Sequence, residues 1–328
     1  MNDRYEIIKQ KLKGGILPAV PIPFDEKGNI DKDAQENYVQ YMKSQPVAGF
    51  AVWAHTGRGL QINDEQKTYI MNSWREAFPD KIIIAGVGAN IKECMKSPNP
   101  EGEYLRRSIE MAEKAKELKA DAIMVYAPVI FKNCSDVDEK VIQFHKEIAK
   151  VGLPIIMFYL YEAAGGVTYS TKVLNEILKL ESVLGIKMAT LNSIMTYQDV
   201  SRLIHDNFPN KIFITGEDRM FGYTLMRGAE AALVGIGCAC TSLQKEMMDS
   251  YYNGSFNKFI ELSNSVDALA ECTFVYPMEG YIKRMLTILN LLGIIPKKST
   301  YDPFGPISEL DDTEINRIKS VLKEIGQL

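Results

Sequence analysis

The stretch Val183–Thr190, with the sequence VLGIKMAT, predicts a short buried strand, because apolar residues run between two turns. Lys187 stands in the middle of this strand. An unpaired ammonium group is costly to bury, and burial lowers its pKa. A partly neutral lysine attacks carbonyl carbon and forms a Schiff base. A second interpretation stays open on position alone: the stem of Lys187 covers apolar surface while its amine reaches water.

Composition predicts a soluble globular protein. The 328 residues include 38 basic and 42 acidic side chains, a near balance that gives no indication of nucleic-acid binding. The segment Met1–Leu12 has mixed charge and a helical pattern, with no apolar run typical of a signal peptide or a membrane span. We therefore expect a cytoplasmic protein that interacts with neither nucleic acid nor membrane.

Cysteine and histidine usage disfavours disulfide and metal chemistry. The five cysteines, at positions 94, 134, 238, 240 and 272, show no paired spacing and indicate reduced thiols. A three-histidine metal site would need all of His55, His145 and His205, although two of them lie in amphipathic helical segments. The expectation is an enzyme without a metal and without a cofactor.

Strand and helix patterns alternate along most of the chain. Eight predicted strands begin at intervals of about thirty residues, and helical patterns separate them. Such alternation indicates parallel pairing, and eight units predict an α/β fold, a (β/α)8 TIM barrel. An open doubly wound sheet is the alternative, but no G-x-G-x-x-G follows the first strand. Only helical patterns follow residue 255, so we divide the chain into a barrel at 1–254 and a helical extension packed on it at 255–328.

The barrel brings three segments to one mouth. Reactive groups of such folds lie at the carboxyl ends of the strands, where Lys187 belongs to the sixth strand and Tyr159 ends the fifth. A tyrosine hydroxyl beside an amine could transfer protons, although a core tyrosine would look the same. After the second strand, Thr56 and the backbone amides around Gly57 could hold a carboxylate, or could form an ordinary turn.

Taken in order, these motifs resemble the dihydrodipicolinate synthase/N-acetylneuraminate lyase superfamily over nearly the whole chain. Tyr159 and Lys187 are 28 residues apart, as this resemblance requires. The other matching pieces are Pro21-Ile22-Pro23-Phe24-Asp25 with Gly28 and Asp31, Thr56-Gly57, Gly86-Val87-Gly88-Ala89-Asn90, Gly185–Thr190, Thr215-Gly216-Glu217-Asp218 and Gly228-Ala229.

The resemblance implies a lysine that forms an imine with pyruvate or another 2-keto acid. It implies that Tyr159 is the general acid/base, that the Thr56 loop holds the carboxylate, and that backbone carbonyls near Gly216 and Leu233 line the site. It also implies a homotetramer or a dimer.

Two departures argue against the synthase reaction of lysine biosynthesis. His55 replaces the hydroxyl that relays protons in the synthase, and Ala164 stands where the synthase has an arginine for its second substrate. Tyr126 matches the tyrosine borrowed from a neighbouring subunit only approximately.

The leading hypothesis is a class I lyase, an aldolase or dehydratase, that acts on a 2-keto-3-deoxy sugar acid or a related 2-keto acid. His55 and Arg58 could then contact distal hydroxyls or a second carboxylate, and Arg58 is equally well explained as a solvated or subunit-contact residue. One alternative is a barrel that binds 2-keto acids for regulation and has lost turnover. Another is a phosphate-binding isomerase, indicated by Gly235-Ile236-Gly237.

Overall fold

The computed structural model describes residues 3–328. The predicted N-terminal helix is present as α1, Asp3–Leu12, and the first two residues of that prediction lie outside the described part. No helix within the described residues is long and apolar enough to cross a membrane.

Eight parallel strands form a closed barrel. They pair in the order β1-β8-β7-β6-β5-β4-β3-β2, and a parallel bridge between Ala19 and Ala51 closes the ring between β1 and β2. The predicted (β/α)8 barrel is therefore confirmed, and the open sheet is wrong. The strands are β1 Ile16–Pro18, β2 Gly49–Val52, β3 Ile82–Val87, β4 Ala122–Val125, β5 Ile155–Leu160, β6 Val183–Ala189, β7 Ile212–Thr215 and β8 Ala231–Val234.

The first strand is shorter than its sequence pattern indicates. The sequence pattern favours a first strand from Gly15 to Phe24, but β1 covers only Ile16–Pro18. Pro21 and Pro23 supply no backbone N–H, so the backbone hydrogen bonds to the neighbouring strands end at Val20. Phe24 instead makes antiparallel bridges to Ile30 and Tyr301, which tie the start of the chain to its C-terminal part.

Helices surround the barrel and continue beyond it. The predicted boundary after residue 254 lies between the helices Thr241–Tyr252 and Phe256–Thr273. The second of these helices packs against the first and against the helix Phe221–Met226. The helices after α1 are α2 Lys32–Lys43, α3 Asp64–Ala77, α4 Ile91–Cys94, α5 Pro100–Glu117, α6 Val137–Ala149, α7 Thr171–Leu178, α8 Ile194–Asn207, α9 Phe221–Met226, α10 Thr241–Tyr252, α11 Phe256–Thr273, α12 Tyr281–Leu291 and α13 Asp312–Glu324.

Two apolar layers follow from the alternation of side chains along each strand. Strands buried on both faces carry continuous apolar runs, as parallel strands do. One set of side chains fills the barrel, among them Leu184 and Ala189 of β6. The other set packs under the helices, among them Ile186 and Met188. Lys187 alternates with this second set and therefore points into the barrel.

Candidate active site

Lys187 lies inside the barrel near the carboxyl end of β6. The residue is only 7% exposed, and its Nζ lies 4.1 Å from the ring centroid of Phe158, opposite it on β5. Burial lowers the pKa of Lys187, and the negative charges of Asp218 and Glu217 oppose that shift. The structure thus gives the amine the buried position and the lowered pKa that a Schiff-base lysine needs.

Two acidic residues follow β7 beside this amine. Burial raises the pKa of Asp218, although its carboxylate accepts a hydrogen bond from the Ile236 amide at 2.7 Å. Glu217 is buried and accepts hydrogen bonds from the Thr190 hydroxyl at 2.8 Å and the Leu191 amide at 3.0 Å. Glu217 therefore holds the loop after β6 in place through these hydrogen bonds. The Asp218 carboxyl can hold a proton near neutral pH, because its pKa is raised to about 7.

Gly216 leaves the space that the lysine stem occupies. A Cβ at this position would lie 2.2 Å from Lys187 Cε and 2.7 Å from the Met188 carbonyl oxygen. Gly216 therefore lies against the Lys187 side chain, and the lining of a substrate site by its backbone carbonyl stays a prediction.

We expect Gly216→Ala to displace the Lys187 amine and slow imine formation about tenfold or more, because a small misplacement of a reacting atom is costly. The rate of borohydride-trapped adduct formation with pyruvate measures this. Circular dichroism checks that the barrel still folds, and an unchanged trapping rate in a folded variant would contradict the prediction.

Tyr159 is not brought to the amine. It lies opposite Met188 and packs with the outer layer, where its ring meets Tyr169 in an edge-to-face contact at 5.0 Å. The predicted acid/base role therefore lacks the required geometry. The cause is an irregularity in β6: Ile155 pairs with Val183, but Ile156 pairs with Gly185. One extra residue in β6 makes Phe158 the neighbour of Lys187.

The loop after β2 contacts the helical extension. The Thr56 hydroxyl is buried and shares a hydrogen bond with the Tyr281 hydroxyl at 2.8 Å. A Cβ on Gly57 would lie 2.8 Å from the Val20 carbonyl oxygen, so the glycine permits close packing there. The Thr56 hydroxyl already has a protein partner, and the binding of a carboxylate by the Thr56-Gly57 loop stays a prediction.

The side chain of Arg58 is buried and is not solvated. It is 4% exposed, and its Nε and Nη2 donate to the two carboxylate oxygens of Asp302 at 3.1 and 2.6 Å. Its Nη1 contacts Glu279 at 3.4 Å, and His55 Nε2 contacts the same carboxylate oxygen at 2.6 Å. The predicted substrate contact and the solvated alternative for Arg58 both conflict with this pairing.

A cavity of about 530 Å³ opens at the barrel mouth next to the lysine. Phe158 separates the two, because it lines the cavity and also faces the Lys187 amine. Ala164 lies in the wall of the cavity. The other lining residues are Trp53, Ala54, His55, Gly59, Leu60, Gln61, Gly86, Val87, Ala89, Asn90, Ile91, Lys92, Met124, Tyr126, Gly165, Pro303 and Phe304.

Leu233 and the segment Gly235-Ile236-Gly237 are the remaining residues that the sequence analysis assigned to a site. Leu233 belongs to the barrel interior on β8. In Gly235-Ile236-Gly237 the Ile236 amide already donates to Asp218, and a Cβ on Gly235 would meet the rings of Phe274 and Tyr281 at 3.1 and 3.2 Å. A phosphate would have to displace these groups, so the isomerase interpretation loses its main feature.

The histidines do not form a cluster. His145 is a fully buried residue of α6, where burial lowers its pKa to about 4, and His205 lies on α8 near the Arg227 carbonyl. Within residues 3–328 no group of three histidine, cysteine, aspartate or glutamate side chains is placed to hold a metal ion.

Sequence reasoning missed the residues that the C-terminal part brings to the mouth. Glu279, Tyr281 and Asp302 lie more than 200 positions from their partners in the loop after β2. No local pattern could indicate these contacts. A recognisable signal existed only for Asp218, which follows Thr215-Gly216 at the carboxyl end of a predicted strand.

Comparison with known proteins agrees with this architecture. Residues 12–323 match the model of the dihydrodipicolinate synthetase family. An uncharacterised DapA-like lyase from Pyrococcus abyssi is 22% identical over 317 residues, covering 96% of this chain and 98% of the relative.

Two solved structures show the same fold. A monomeric dihydrodipicolinate synthase variant superposes with a TM-score of 0.83 at 20% identity, covering 97% of this chain and 98% of its own. The N-acetylneuraminate lyase from Fusobacterium nucleatum, solved with pyruvate, gives 0.78 at 18% identity, with 96% and 98% covered. From its eight-stranded barrel and the match along nearly its whole length, the chain belongs to the dihydrodipicolinate synthetase family.

Proposed function

We propose that the protein is a class I lyase in which Lys187 forms an imine with pyruvate or another 2-keto acid. One observation carries this proposal: an amine of lowered pKa points into the barrel at the carboxyl end of β6, beside a cavity. The pyruvate complex of the Fusobacterium nucleatum lyase, whose fold this chain shares, supports the choice of ligand.

The Lys187 amine would attack the C2 carbonyl carbon of the acid, and water would leave to give a protonated imine. The imine nitrogen then accepts the electron pair released at C3, either from a C–H bond or from the bond to C4. Hydrolysis of the imine returns the free amine.

Asp218 is the proposed proton carrier in place of Tyr159. Its negative charge raises the pKa of Lys187, and the raised pKa of its own carboxyl lets it both donate and accept a proton near neutral pH. Phe158, the residue opposite the lysine on β5, has no titratable group, so the neighbouring strand supplies no proton at that position.

Exchange of the pyruvate methyl hydrogens with deuterated water tests the proposal without knowledge of the natural substrate. We expect the methyl signal in the proton NMR spectrum to disappear with the protein present, because the enamine is deuterated when it returns to the imine. The Asp218→Asn variant should exchange about 10²-fold more slowly while it still forms the imine, since it loses only proton transfer. Exchange at the rate of the buffer alone would contradict the lyase proposal.

The pH dependence of imine formation gives a second test. Only the neutral amine attacks, so the rate should rise with pH and reach half its maximum well below the ordinary lysine value of 10.5. Asp218 raises the pKa of Lys187, so Asp218→Asn should move this midpoint to lower pH. Borohydride trapping at a series of pH values measures it, and a midpoint moved to higher pH would contradict the coupling.

A 2-keto-acid-binding protein without turnover is the second candidate. The ring of Phe158 beside the amine and the outward position of Tyr159 favour it. Such a protein would form a trappable imine with pyruvate but would not exchange its methyl hydrogens.

A further inference from the structure

The inner part of the mouth cavity is apolar and aromatic. Met124 and Phe158 line it from the barrel interior and are each no more than 3% exposed. Tyr126 meets Phe158 in an edge-to-face contact at 6.1 Å, and Pro303 and Phe304 of the C-terminal part also line the cavity. These walls fit a planar apolar group.

The polar groups of the cavity are few and mostly engaged. His55 forms a hydrogen bond with Glu279, and the Asn90 side-chain oxygen Oδ1 accepts a hydrogen bond from the Lys92 backbone amide at 3.0 Å as the cap of α4. Gln61 and the Lys92 side chain lie on the exposed rim. A polyhydroxylated group would lose its water in this cavity without gaining matched hydrogen bonds, which is unfavourable.

The aromatic roof is held in place by the Arg58–Asp302 pair. Asp302 binds the guanidinium through both oxygens and also accepts the Phe304 amide at 3.2 Å. The ring of Phe304 rests edge-on against Phe24 at 5.9 Å. Arg58 therefore serves as a positioning residue for the cavity roof and is not free for a ligand.

We propose that the part of the substrate beyond the 2-keto acid is an uncharged aryl group that lies between Phe158, Tyr126 and Phe304. This inference rests on the proposed function and departs from the sugar-acid expectation. Phe158 links the two halves of the site, since one ring lines the cavity and lies 4.1 Å from the Lys187 amine.

The reaction for such a substrate is a retro-aldol cleavage. The imine of a 4-hydroxy-4-aryl-2-oxobutanoate loses the proton of its C4 hydroxyl, and the C3–C4 bond breaks. The aryl aldehyde leaves, and the electron pair forms an enamine with the imine nitrogen. Protonation at C3 and addition of water release pyruvate and the Lys187 amine, so the net products are one aldehyde and one pyruvate.

Steady-state kinetics with two 4-hydroxy-2-oxo acids test the substrate class, one carrying a phenyl group at C4 and the other a trihydroxypropyl group. We expect kcat/KM to favour the phenyl substrate by about tenfold or more. A preference for the polyhydroxylated acid would overturn the inference and leave the lyase proposal intact.

Phe304→Ala removes part of the roof and should reduce the preference for the phenyl substrate about fivefold or more, because an aromatic contact is lost. Phe256→Ala is the matched control, since Phe256 is an exposed phenylalanine on α11 that does not line the cavity. Equal preferences in the two variants would contradict the role of Phe304.

Binding to Lys187→Ala separates the inference from the chemistry. Calorimetry with benzyl alcohol should show saturable binding to this variant that erythritol does not show, and Phe304→Ala in the same background should weaken it. Binding of benzyl alcohol, together with the absence of a pyruvate imine in the native protein, would support the cavity assignment and contradict the lyase proposal. Absence of benzyl alcohol binding would overturn the cavity assignment.

Discussion

Lys187→Ala should abolish imine formation with pyruvate and lower any lyase turnover about 10³-fold or more, because removal of a covalent nucleophile leaves only binding and electrostatic effects. The side chain is buried and points into the barrel, and among the described residues the cavity lining contributes one amine, that of Lys92 on the exposed rim. Proton exchange of pyruvate in deuterated water measures the loss.

Lys211→Ala is the control for this prediction. Burial lowers the pKa of Lys211 to about 8. Lys211 lies directly before β7, at the amino end of the strand, and its amine donates a hydrogen bond to the Leu180 carbonyl at 2.9 Å. The two lysines thus share a lowered pKa and differ in which end of the barrel they occupy. Retained exchange in Lys187→Ala, or its loss in Lys211→Ala with the fold intact, would contradict the assignment.

Arg58→Ala should destabilise the protein by about 3–5 kcal/mol, because it leaves the Asp302 carboxylate buried without its partner. Arg58 and Asp302 are both nearly inaccessible, and they join the loop after β2 to the segment that follows α12. The free energy of unfolding in urea measures the effect.

The matched control is an exposed ion pair, Lys172 with Glu139. Lys172→Ala should unfold at nearly the same urea concentration as the native protein, since exposed pairs contribute little. The double variant Arg58→Ala/Asp302→Ala should recover part of the loss, because no buried charge is then unpaired. Similar unfolding of Arg58→Ala and Lys172→Ala would show that the pair does not hold the two segments together.

The barrel could be predicted from sequence because its physical cause is local. Each strand buries both faces and therefore appears as an apolar run, and helical patterns of matching length separate the runs. Lys187 was recognisable for the same reason, since a charge within such a run has no inexpensive position.

The orientation of Tyr159 could not be predicted. The run Phe158–Tyr161 contains three aromatic residues in four, so no polar residue marks which of them faces the barrel. The irregular pairing between β5 and β6 then places Phe158, and not Tyr159, opposite Lys187. A shift of one residue reverses the face of every side chain, and the sequence carries no local sign of it.

The environment of Arg58 depended on distant residues in the same way. Its position in a loop predicted either a substrate contact or a solvated or subunit-contact residue, whereas Asp302 and Glu279 bury and pair it. Only the packing of the helical extension over the barrel mouth brings these groups together.

Peptide mapping of the protein after borohydride reduction with pyruvate shows which lysine forms the imine. We expect a single pyruvate-derived modification on the peptide that contains Lys187, with Lys211 unmodified although its pKa is also lowered. A reduced adduct on Lys211 or on surface lysines with Lys187 unmodified would contradict it.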